Sequence, residues 1–246
     1  MKVFVVLAHP DPQSFNVAMK ETAVETFSQA GHEVRVTDLH ADHFKAISDS
    51  SEFADVMQPG EGLAPDVMQQ RQAEAETFPA DVREQLDNIE WCDLLVLQFP
   101  IWWFSAPAIL KGWFERVLVK GVAYGGGRKH GKGVFKGRHG LISCTTGTPA
   151  ETYAPDGIEG DIERLLWPIN NGIFHYLGMT PYKPFVSFAP RSQDDEVRAK
   201  ELEKYSSYLQ NLGPASELPM HDQEDYGDDE RLLPDITPKS GFQYRK

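Results

Sequence analysis

The sequence is poor in cysteine, in positive charge and in long apolar runs. It has 2 cysteines among 246 residues, and both Cys92 and Cys144 lie inside apolar segments, which is typical of buried thiols in a reducing compartment. The formal net charge of -13 disfavours nucleic acid or an anionic membrane as a partner and suits an ordinary solvated surface. The apolar run from Val3 to Ala8 is too short for a signal peptide or a membrane span. We expect a cytoplasmic protein without membrane insertion.

The loop after the first apolar segment lacks the usual nucleotide-binding signatures. It reads HPDPQS and contains neither G-x-G-x-x-G nor the phosphate-loop lysine, which argues against a Rossmann dehydrogenase and a nucleoside triphosphatase. Ser14 nevertheless suits the start of a helix and Gly31 its end. A ligand on this loop would have to be held without a glycine fingerprint.

Apolar segments with strand character alternate with helix-like segments along the chain. The predicted strands are KVFVVLA, EVRVTDL, DLLVLQFP, GLISCTT and PYKPFVSFA, and the predicted helices after the first lie near Pro107–Leu118, Ile158–Tyr176 and Gln193–Leu212. The third strand is apolar throughout, as in a parallel strand buried on both faces, and prolines weaken the fifth. This alternation predicts an α/β fold with a doubly wound, five-stranded parallel sheet in the flavodoxin-like order and helices on both faces.

Two segments do not fit the alternation. A polar, acidic insertion after the second strand, at about 39–79, contains proline and glycine and is expected to hold short helices. An acidic, proline-containing tail over 213–246 is expected to wrap the surface or to be partly mobile. We therefore predict one flavodoxin-like domain over 1–212 with this insertion, followed by the tail.

Three strand ends carry the chemistry, because ligands of such folds bind at the carboxyl ends of the strands. His9 stands before a helix N-terminus, which favours a phosphate, although His9 and Ser14 would also simply cap the turn. A second loop holds three adjacent aromatics. They either stack on a flat ligand, or they cover the end of the sheet or form a subunit contact. This aromatic loop is Trp102, Trp103 and Phe104.

The third strand end is a small, polar turn, Thr145-Thr146-Gly147-Thr148. Its glycine lets backbone N–H groups approach the carbonyl edge of a ligand. Together the three loops describe a slot with a phosphate end, an aromatic wall and an amide-rich edge. Such a slot suits a flavin nucleotide.

Four stretches resemble one known family, in the family's order and over most of residues 1–210. They are LAHPDPQSFNVAMK, LQFPIWWFSAPAILKGWFERV, TTGTPAETYAPDGIEGD and LLWPINNGIFHYLG. They are similar to the NAD(P)H:quinone oxidoreductases of the DT-diaphorase type. The resemblance implies a homodimer with FAD, rather than FMN, in two interface sites, and two-electron, ping-pong hydride transfer from NAD(P)H through flavin N5 to quinones, with nitro and azo compounds as further acceptors.

The resemblance also implies the site residues. The residues that fall on the family's flavin contacts are His9, Phe15, Asn16, Ile101, Trp102, Trp103, Phe104, Thr145, Thr146, Gly147, Thr148, Tyr153 and, at the adenine end, Arg198. The residues at the reacting ring are Tyr153, Gly147 and Glu159, and the substrate walls are Trp103, Phe104, Tyr124 and Tyr176, the last two supplied by the partner subunit. No metal is implied.

The chain departs from the family pattern at two positions. Glu159 stands where animal enzymes have a relay histidine, and a carboxylate offers no equivalent charge switch near neutral pH without burial. Gly126 replaces a pocket tyrosine inside GVAYGGGRKHGKG. The basic residues of this segment either attract the phosphates of NADPH or form a solvated loop.

Two other functions stay open at this point. One is an FMN-dependent reductase that acts as the regulatory subunit of a potassium-efflux transporter. The other is a one-electron carrier of the true flavodoxin type, against which the aromatic substrate pocket argues. The sequence does not choose between NADH and NADPH, and it does not name the physiological acceptor.

Overall fold

The computed structural model describes residues 1–243 and contains one parallel sheet. Its strands are β1 (Lys2–Leu7), β2 (Glu33–Asp38), β3 (Leu94–Pro100), β4 (His139–Thr145), β5 (Thr180–Pro181) and β6 (Phe185–Ser187). The order is β2-β1-β3-β4-β5, and β6 also pairs with β4. The fifth position is thus one strand in two pieces, because Pro181 and Pro184 have no N–H for a continuous ladder. The predicted flavodoxin-like sheet is confirmed.

Six α-helices cover the two faces of the sheet within residues 1–243. They are α1 (Phe15–Gln29), α2 (Pro65–Ala75), α3 (Ala80–Trp91), α4 (Ala108–Val117), α5 (Ile162–Ile169) and α6 (Asp195–Gln210). The sequence reasoning missed α3, although Val82, Leu86 and Ile89 follow the i, i+4, i+7 spacing of an amphipathic helix. The helix expected over Ile158–Tyr176 is shorter than predicted, since α5 passes at Asn170 into a π-helical turn that ends at His175.

The central strands divide the core into two layers. Leu95, Leu97 and Phe99 of β3 pack in a large cluster with α3, α4 and α5. Leu94 and Val96 face the other way, into a smaller cluster with α1 and α6. Trp113 of α4 is fully buried, and the two cysteines are buried and free.

The insertion docks on α4 through a buried guanidinium. Arg116 contacts Glu52 of the insertion, Asp81 at 2.5 Å and the carbonyl oxygen of Lys45 at 2.6 Å. A Cβ on Gly112 would lie 2.0 Å from the carbonyl oxygen of Ala46, so the two backbones touch and only glycine fits. The expected short helices of this insertion are a 3₁₀ turn, 50–53, and α2.

The described part of the tail runs along the surface and is anchored at several points. The N–H of Leu218 donates to the carbonyl of Pro181 at 2.8 Å, and Phe242 packs edge-on against Trp167, with ring centroids 5.0 Å apart. Within residues 1–243, no helix has the length and apolar character needed to cross a membrane.

Candidate functional site

The aromatic loop is a two-residue turn directly after β3. The N–H of Trp102 donates to the carbonyl of Ser105 at 3.0 Å, and the N–H of Ser105 donates back to Trp102 at 3.1 Å. The two central residues, Trp103 and Phe104, have φ values of 49° and 59°. Positive φ at both central positions is the signature of a type I′ turn, which normally uses asparagine and glycine. Aromatic residues therefore hold a backbone conformation that costs each of them about 1 kcal/mol.

This strained turn presents its side chains to the surface instead of the core. Trp102 is 43% exposed, Trp103 95% and Phe104 51%. None of these three aromatics is therefore buried in the core. Backbone strain and exposed aromatic area at one place are typical of a binding site rather than of structural packing.

The threonine turn lies beside the aromatic turn because β3 and β4 are neighbours. Pro100 pairs with Thr145 in the sheet, and the N–H of Ile101 donates to the carbonyl of Thr145 at 2.8 Å. Thr146 is buried, and its hydroxyl donates to the carbonyl of Thr148 at 2.7 Å. Gly147 is exposed, and an added Cβ would meet nothing within 4 Å. The turn therefore offers its backbone, more than its side chains, to a ligand.

The first loop meets the same place. The Nδ1 atom of His9 accepts a hydrogen bond from the N–H of Asp11 at 3.0 Å, and the His9 ring lies 5.7 Å from the Trp102 ring. Burial lowers the pKa of His9 below its usual value, with Asp11 and Asp38 acting in the opposite direction. His9 is therefore mainly neutral at pH 7, and with Nδ1 engaged its Nε2–H is the group left to donate.

Ser14 caps α1 as predicted, since its hydroxyl accepts from the N–H of Val17 at 3.4 Å. The first N–H groups of a helix have no intrahelical partner, and the helix dipole adds positive potential there. The start of α1 and His9 together form a polar corner suited to a phosphate. This corner flanks the aromatic turn.

The Asn16 side chain points into the protein and does not project into a cleft. It is buried, its Nδ2 donates to the hydroxyl of Thr145 at 3.0 Å, and its Oδ1 accepts from Gln98 at 2.9 Å. These three side chains fasten α1 to the ends of β3 and β4. Sequence reasoning did not identify the role of Gln98, yet a glutamine inside the otherwise apolar β3 was the available signal.

The predicted adenine end has a cavity of its own. Phe15 and Arg198 both line a cavity of about 280 Å³ between α1 and α6. The Arg198 guanidinium contacts Asp195 and the carbonyl of Gln193, which hold it at the start of α6. The structure thus brings these two predicted residues together beside the helix corner.

Tyr153 and Glu159 belong to one closed loop after the threonine turn. The Thr152 hydroxyl donates to the Thr148 hydroxyl at 2.9 Å, and the N–H of Glu159 donates to the carbonyl of Thr152 at 2.9 Å. Tyr153 is buried, with its ring 5.9 Å from the ring of Phe188. Phe188, which the sequence analysis did not single out, therefore supports the predicted relay tyrosine.

Tyr124 and Tyr176 contact each other, with ring centroids 6.1 Å apart, but they lie at the other edge of the sheet. Tyr176 precedes β5, whose Thr180 pairs with His139 at the amino end of β4. The threonine turn follows the carboxyl end of this seven-residue strand, and a strand of that length separates the two edges by about 20 Å. One chain alone therefore does not join these tyrosines to the aromatic turn.

The basic segment near Tyr124 is partly neutralised by internal contacts. Arg128 donates to the carbonyls of Gly125 and Gly121 at 3.0 and 2.9 Å. Lys129 forms an ion pair with Glu230 of the tail at 2.8 Å. Within residues 1–243, no cluster of three or more metal-ligating side chains is present.

Comparison with known proteins finds relatives over most of the chain. Residues 1–209 match a protein family described by its flavodoxin-like fold. The chain is 34% identical over 218 residues to ribosyldihydronicotinamide dehydrogenase (quinone) of Pongo abelii, a match that covers 89% of this chain and 94% of the relative. It is 36% identical over 212 residues to NAD(P)H dehydrogenase (quinone) 1 of Cavia porcellus, covering 86% of this chain and 77% of the relative.

A solved structure agrees with these relatives. The crystal structure of a candidate quinone reductase from Klebsiella pneumoniae superposes with a TM-score of 0.91 and 34% identity, over 97% of this chain and 96% of that one. Both the flavodoxin-like fold and the family resemblance are thereby confirmed. The chain belongs to the NAD(P)H:quinone oxidoreductase family of proteins with a flavodoxin-like fold.

Proposed function

We propose that this protein is a flavin-dependent NAD(P)H:quinone oxidoreductase that holds FAD and works by a ping-pong sequence. The single observation that carries the proposal is the strained turn that exposes Trp103 and Phe104 directly beside the threonine turn. A flat ring system against the two aromatics would cover their apolar area, and backbone N–H groups near Gly147 would bind its polar edge. The names of the relatives support the reaction.

The residues present fit a flavin with a nucleotide tail. His9 and the first turn of α1 would hold phosphates, since both offer N–H donors and the helix start adds positive potential. The cavity lined by Phe15 and Arg198 continues from this corner and has room for an adenine, which supports FAD over FMN. When bound, the flavin supplies two-electron redox chemistry between NAD(P)H and the quinone.

The chain's own residues orient and shield the reacting groups. Tyr153 packs on Phe188, which holds its ring, and its hydroxyl would donate a hydrogen bond to the polar edge of a bound flavin. Glu159 is tied to the same loop through its backbone. Trp102, Trp103 and Phe104 would stack with the flat ligand and exclude water from it.

The complete site takes residues from two copies of the chain. Tyr124 and Tyr176 lie at the edge of the sheet opposite to the aromatic turn, so they reach a substrate at Trp103 only from a second subunit. We propose a homodimer in which each of two equivalent sites is closed by the partner's tyrosines. Lys129 and Arg128 would then lie near the mouth, where the phosphates of the nucleotide donor enter.

The test is direct. The purified protein should be yellow, and heat should release FAD that chromatography separates from FMN. Anaerobic titration with NADH and NADPH, followed by addition of a panel of quinones, should bleach and then restore the flavin absorbance. Release of FMN alone would refute the cofactor assignment, and a flavin that quinones do not reoxidise would refute the function.

The regulatory-subunit alternative is not favoured. The relatives with 34–36% identity are named as quinone dehydrogenases, and no feature of residues 1–243 points to a transporter. Nitro and azo compounds belong in the same acceptor panel, because they are flat and accept electrons in pairs.

A further inference from the structure

A glutamine interrupts the apolar strand β3 where the strand packs against α1. Every second residue of a strand points to the same face of the sheet, so Gln98 shares the face of Leu94 and Val96, which pack toward α1 and α6. Gln98 is fully buried, and its Oε1 has no hydrogen-bond partner among the residues that the structure describes. Because an unpaired buried amide oxygen is unfavourable, an apolar side chain would suit the packing better here.

The sulfur of Met19 fixes the direction in which the Gln98 amide points. Met19 lies on α1 and is fully buried, and its Sδ atom is 3.7 Å from Nε2 of Gln98. A thioether sulfur has no hydrogen to donate, so it accepts from the amide nitrogen and offers nothing to the amide oxygen. The same nitrogen donates to Oδ1 of Asn16 at 2.9 Å. The nitrogen end of Gln98 therefore faces α1.

This direction is passed on through Asn16 to Thr145. Asn16 is buried and meets the nitrogen of Gln98 with its oxygen, so its own nitrogen donates to the Thr145 hydroxyl, 3.0 Å away. The Thr145 oxygen accepts this bond, and its hydrogen remains to be donated. Within residues 1–243, no acceptor lies in hydrogen-bonding position for that hydrogen.

Thr145 links two parts of the candidate site. It is the last residue of β4 and the first of the threonine turn. Its side chain contacts Asn16 in the first turn of α1, and its carbonyl accepts from the N–H of Ile101, which precedes the aromatic turn. A hydroxyl with a hydrogen to donate therefore lies where the polar corner, the threonine turn and the aromatic turn meet.

We propose that Gln98 is a positioning residue for the flavin. It is too deeply buried to touch a ligand, but it holds Asn16 in the orientation that leaves the Thr145 hydroxyl to donate to an acceptor oxygen of the bound nucleotide. Without Gln98 the Asn16 amide is free to turn, and its oxygen then accepts from Thr145 and withdraws the donor from the ligand. The proposal rests on the flavin site proposed above.

A double-mutant cycle tests the coupling of Gln98 to Thr145, because these two side chains act on each other only through Asn16. Thr145→Val removes the hydroxyl and should weaken FAD binding to the flavin-free protein roughly fivefold, the size of one net hydrogen bond. Gln98→Leu should weaken it by a similar factor, and the double variant no further, since the same donor is lost. Quenching of flavin fluorescence measures each affinity. Independent effects would multiply to roughly twenty-fivefold and refute the coupling.

A second glutamine provides the matched control. Gln72 is 3% exposed, and its Nε2 donates to the backbone carbonyl of Glu52 at 2.6 Å, far along the chain from the threonine turn. Gln72→Leu should bind FAD like the wild type, and its effect should multiply with that of Thr145→Val. A coupling of the same size at Gln72 would show that any buried glutamine gives it, which would overturn the inference.

A second variant guards against misfolding of Gln98→Leu. Gln98→Met keeps the length of the side chain without its amide and should lose the same fivefold in FAD affinity. Wild-type affinity in a folded Gln98 variant would make this glutamine purely structural. A wild-type protein that binds neither FAD nor FMN would refute the proposed function and this inference with it, whereas flavin binding without coupling would refute the inference alone.

Discussion

At the scale of single residues, the turn at Trp103 shows a conflict between local backbone preference and function. A positive φ is unfavourable for tryptophan. Because Trp103 is 95% exposed, its side chain gains almost no stabilisation from packing. Asparagine and glycine would suit the backbone better. The aromatic side chain is therefore kept against the local preference, which supports a role in binding.

Trp103→Asn should separate these two effects. The flavin-free variant should gain about 0.5–1 kcal/mol in stability, a rise of roughly 2 °C in Tm, while it binds flavin or quinone more weakly. Thermal unfolding and flavin titration measure both quantities. Ile158→Asn is the matched control, because Ile158 is 92% exposed but does not have a positive φ. A fall in Tm for Trp103→Asn would show that the turn is not strained.

Tyr153→Phe tests the hydroxyl without disturbing the ring contact with Phe188. Loss of one hydrogen bond to the reacting ring should slow flavin reduction by NAD(P)H roughly tenfold, as measured by stopped-flow absorbance. Tyr182→Phe removes a hydroxyl from another buried tyrosine, beside the amino end of β4, and should reduce flavin at the normal rate. An unaffected rate in Tyr153→Phe would make this tyrosine structural.

At the scale of elements, the insertion is held by a charge that water does not reach. The side chains of Arg116 and Glu52 are 1% and 5% exposed. Glu52→Ala leaves the guanidinium buried with Asp81 as its remaining anion and should cost roughly 3 kcal/mol. Glu115→Ala removes a partner of the exposed pair with Lys111 and should cost less than about 0.5 kcal/mol. Urea unfolding measures both, and equal costs would contradict the anchoring role.

The π-helical turn after α5 makes the stability of the fold depend on pH. Burial, with a smaller effect of His130, lowers the pKa of His175 from 6.5 to about 4, against Asp222, which raises it. The pKa of His130 is also lowered, by burial and by Lys129. Between pH 6.5 and 4 the unfolded chain therefore binds protons that the folded chain does not. The contribution of the neutral histidine to the free energy of unfolding is full above pH 6.5 and is lost as the pH falls.

His175→Gln should flatten the dependence of Tm on pH in this range. The carboxylates titrate in both proteins, so the difference between the two curves isolates the histidine. His43→Gln, at an exposed position, should keep the wild-type curve. Parallel curves for the wild type and His175→Gln would contradict the assignment.

At the scale of the whole molecule, the proposed site depends on assembly. Chains with Trp103→Ala and chains with Tyr176→Ala should each be nearly inactive with quinones. After mixing and subunit exchange, half of the dimers are mixed and each regains one intact site, which gives about a quarter of the wild-type activity. Size-exclusion chromatography with light scattering checks the dimer. A mixture that is no more active than its parents would contradict the shared site.

The sequence by itself determined the fold, because the spacing of apolar residues is local information. The apolar run of β3 apart from Gln98, the alternation of strands and helices, and Ser14 as a cap each follow from neighbouring residues. It also indicated which loop is a candidate binding site, because three adjacent aromatics after a strand are recognisable without knowledge of the strand register. The missed helix α3 was equally local, and its spacing was there to be read.

The tertiary structure alone decided the contacts between residues far apart in the chain. It turned Asn16 inward onto Gln98 and Thr145, and it placed Tyr124 and Tyr176 at the opposite edge of the sheet from Trp103. Each depends on the register of the sheet and on the packing of elements separated by many residues. Local periodicity carries no information about these distances, because they are fixed only when the whole chain has closed around its core.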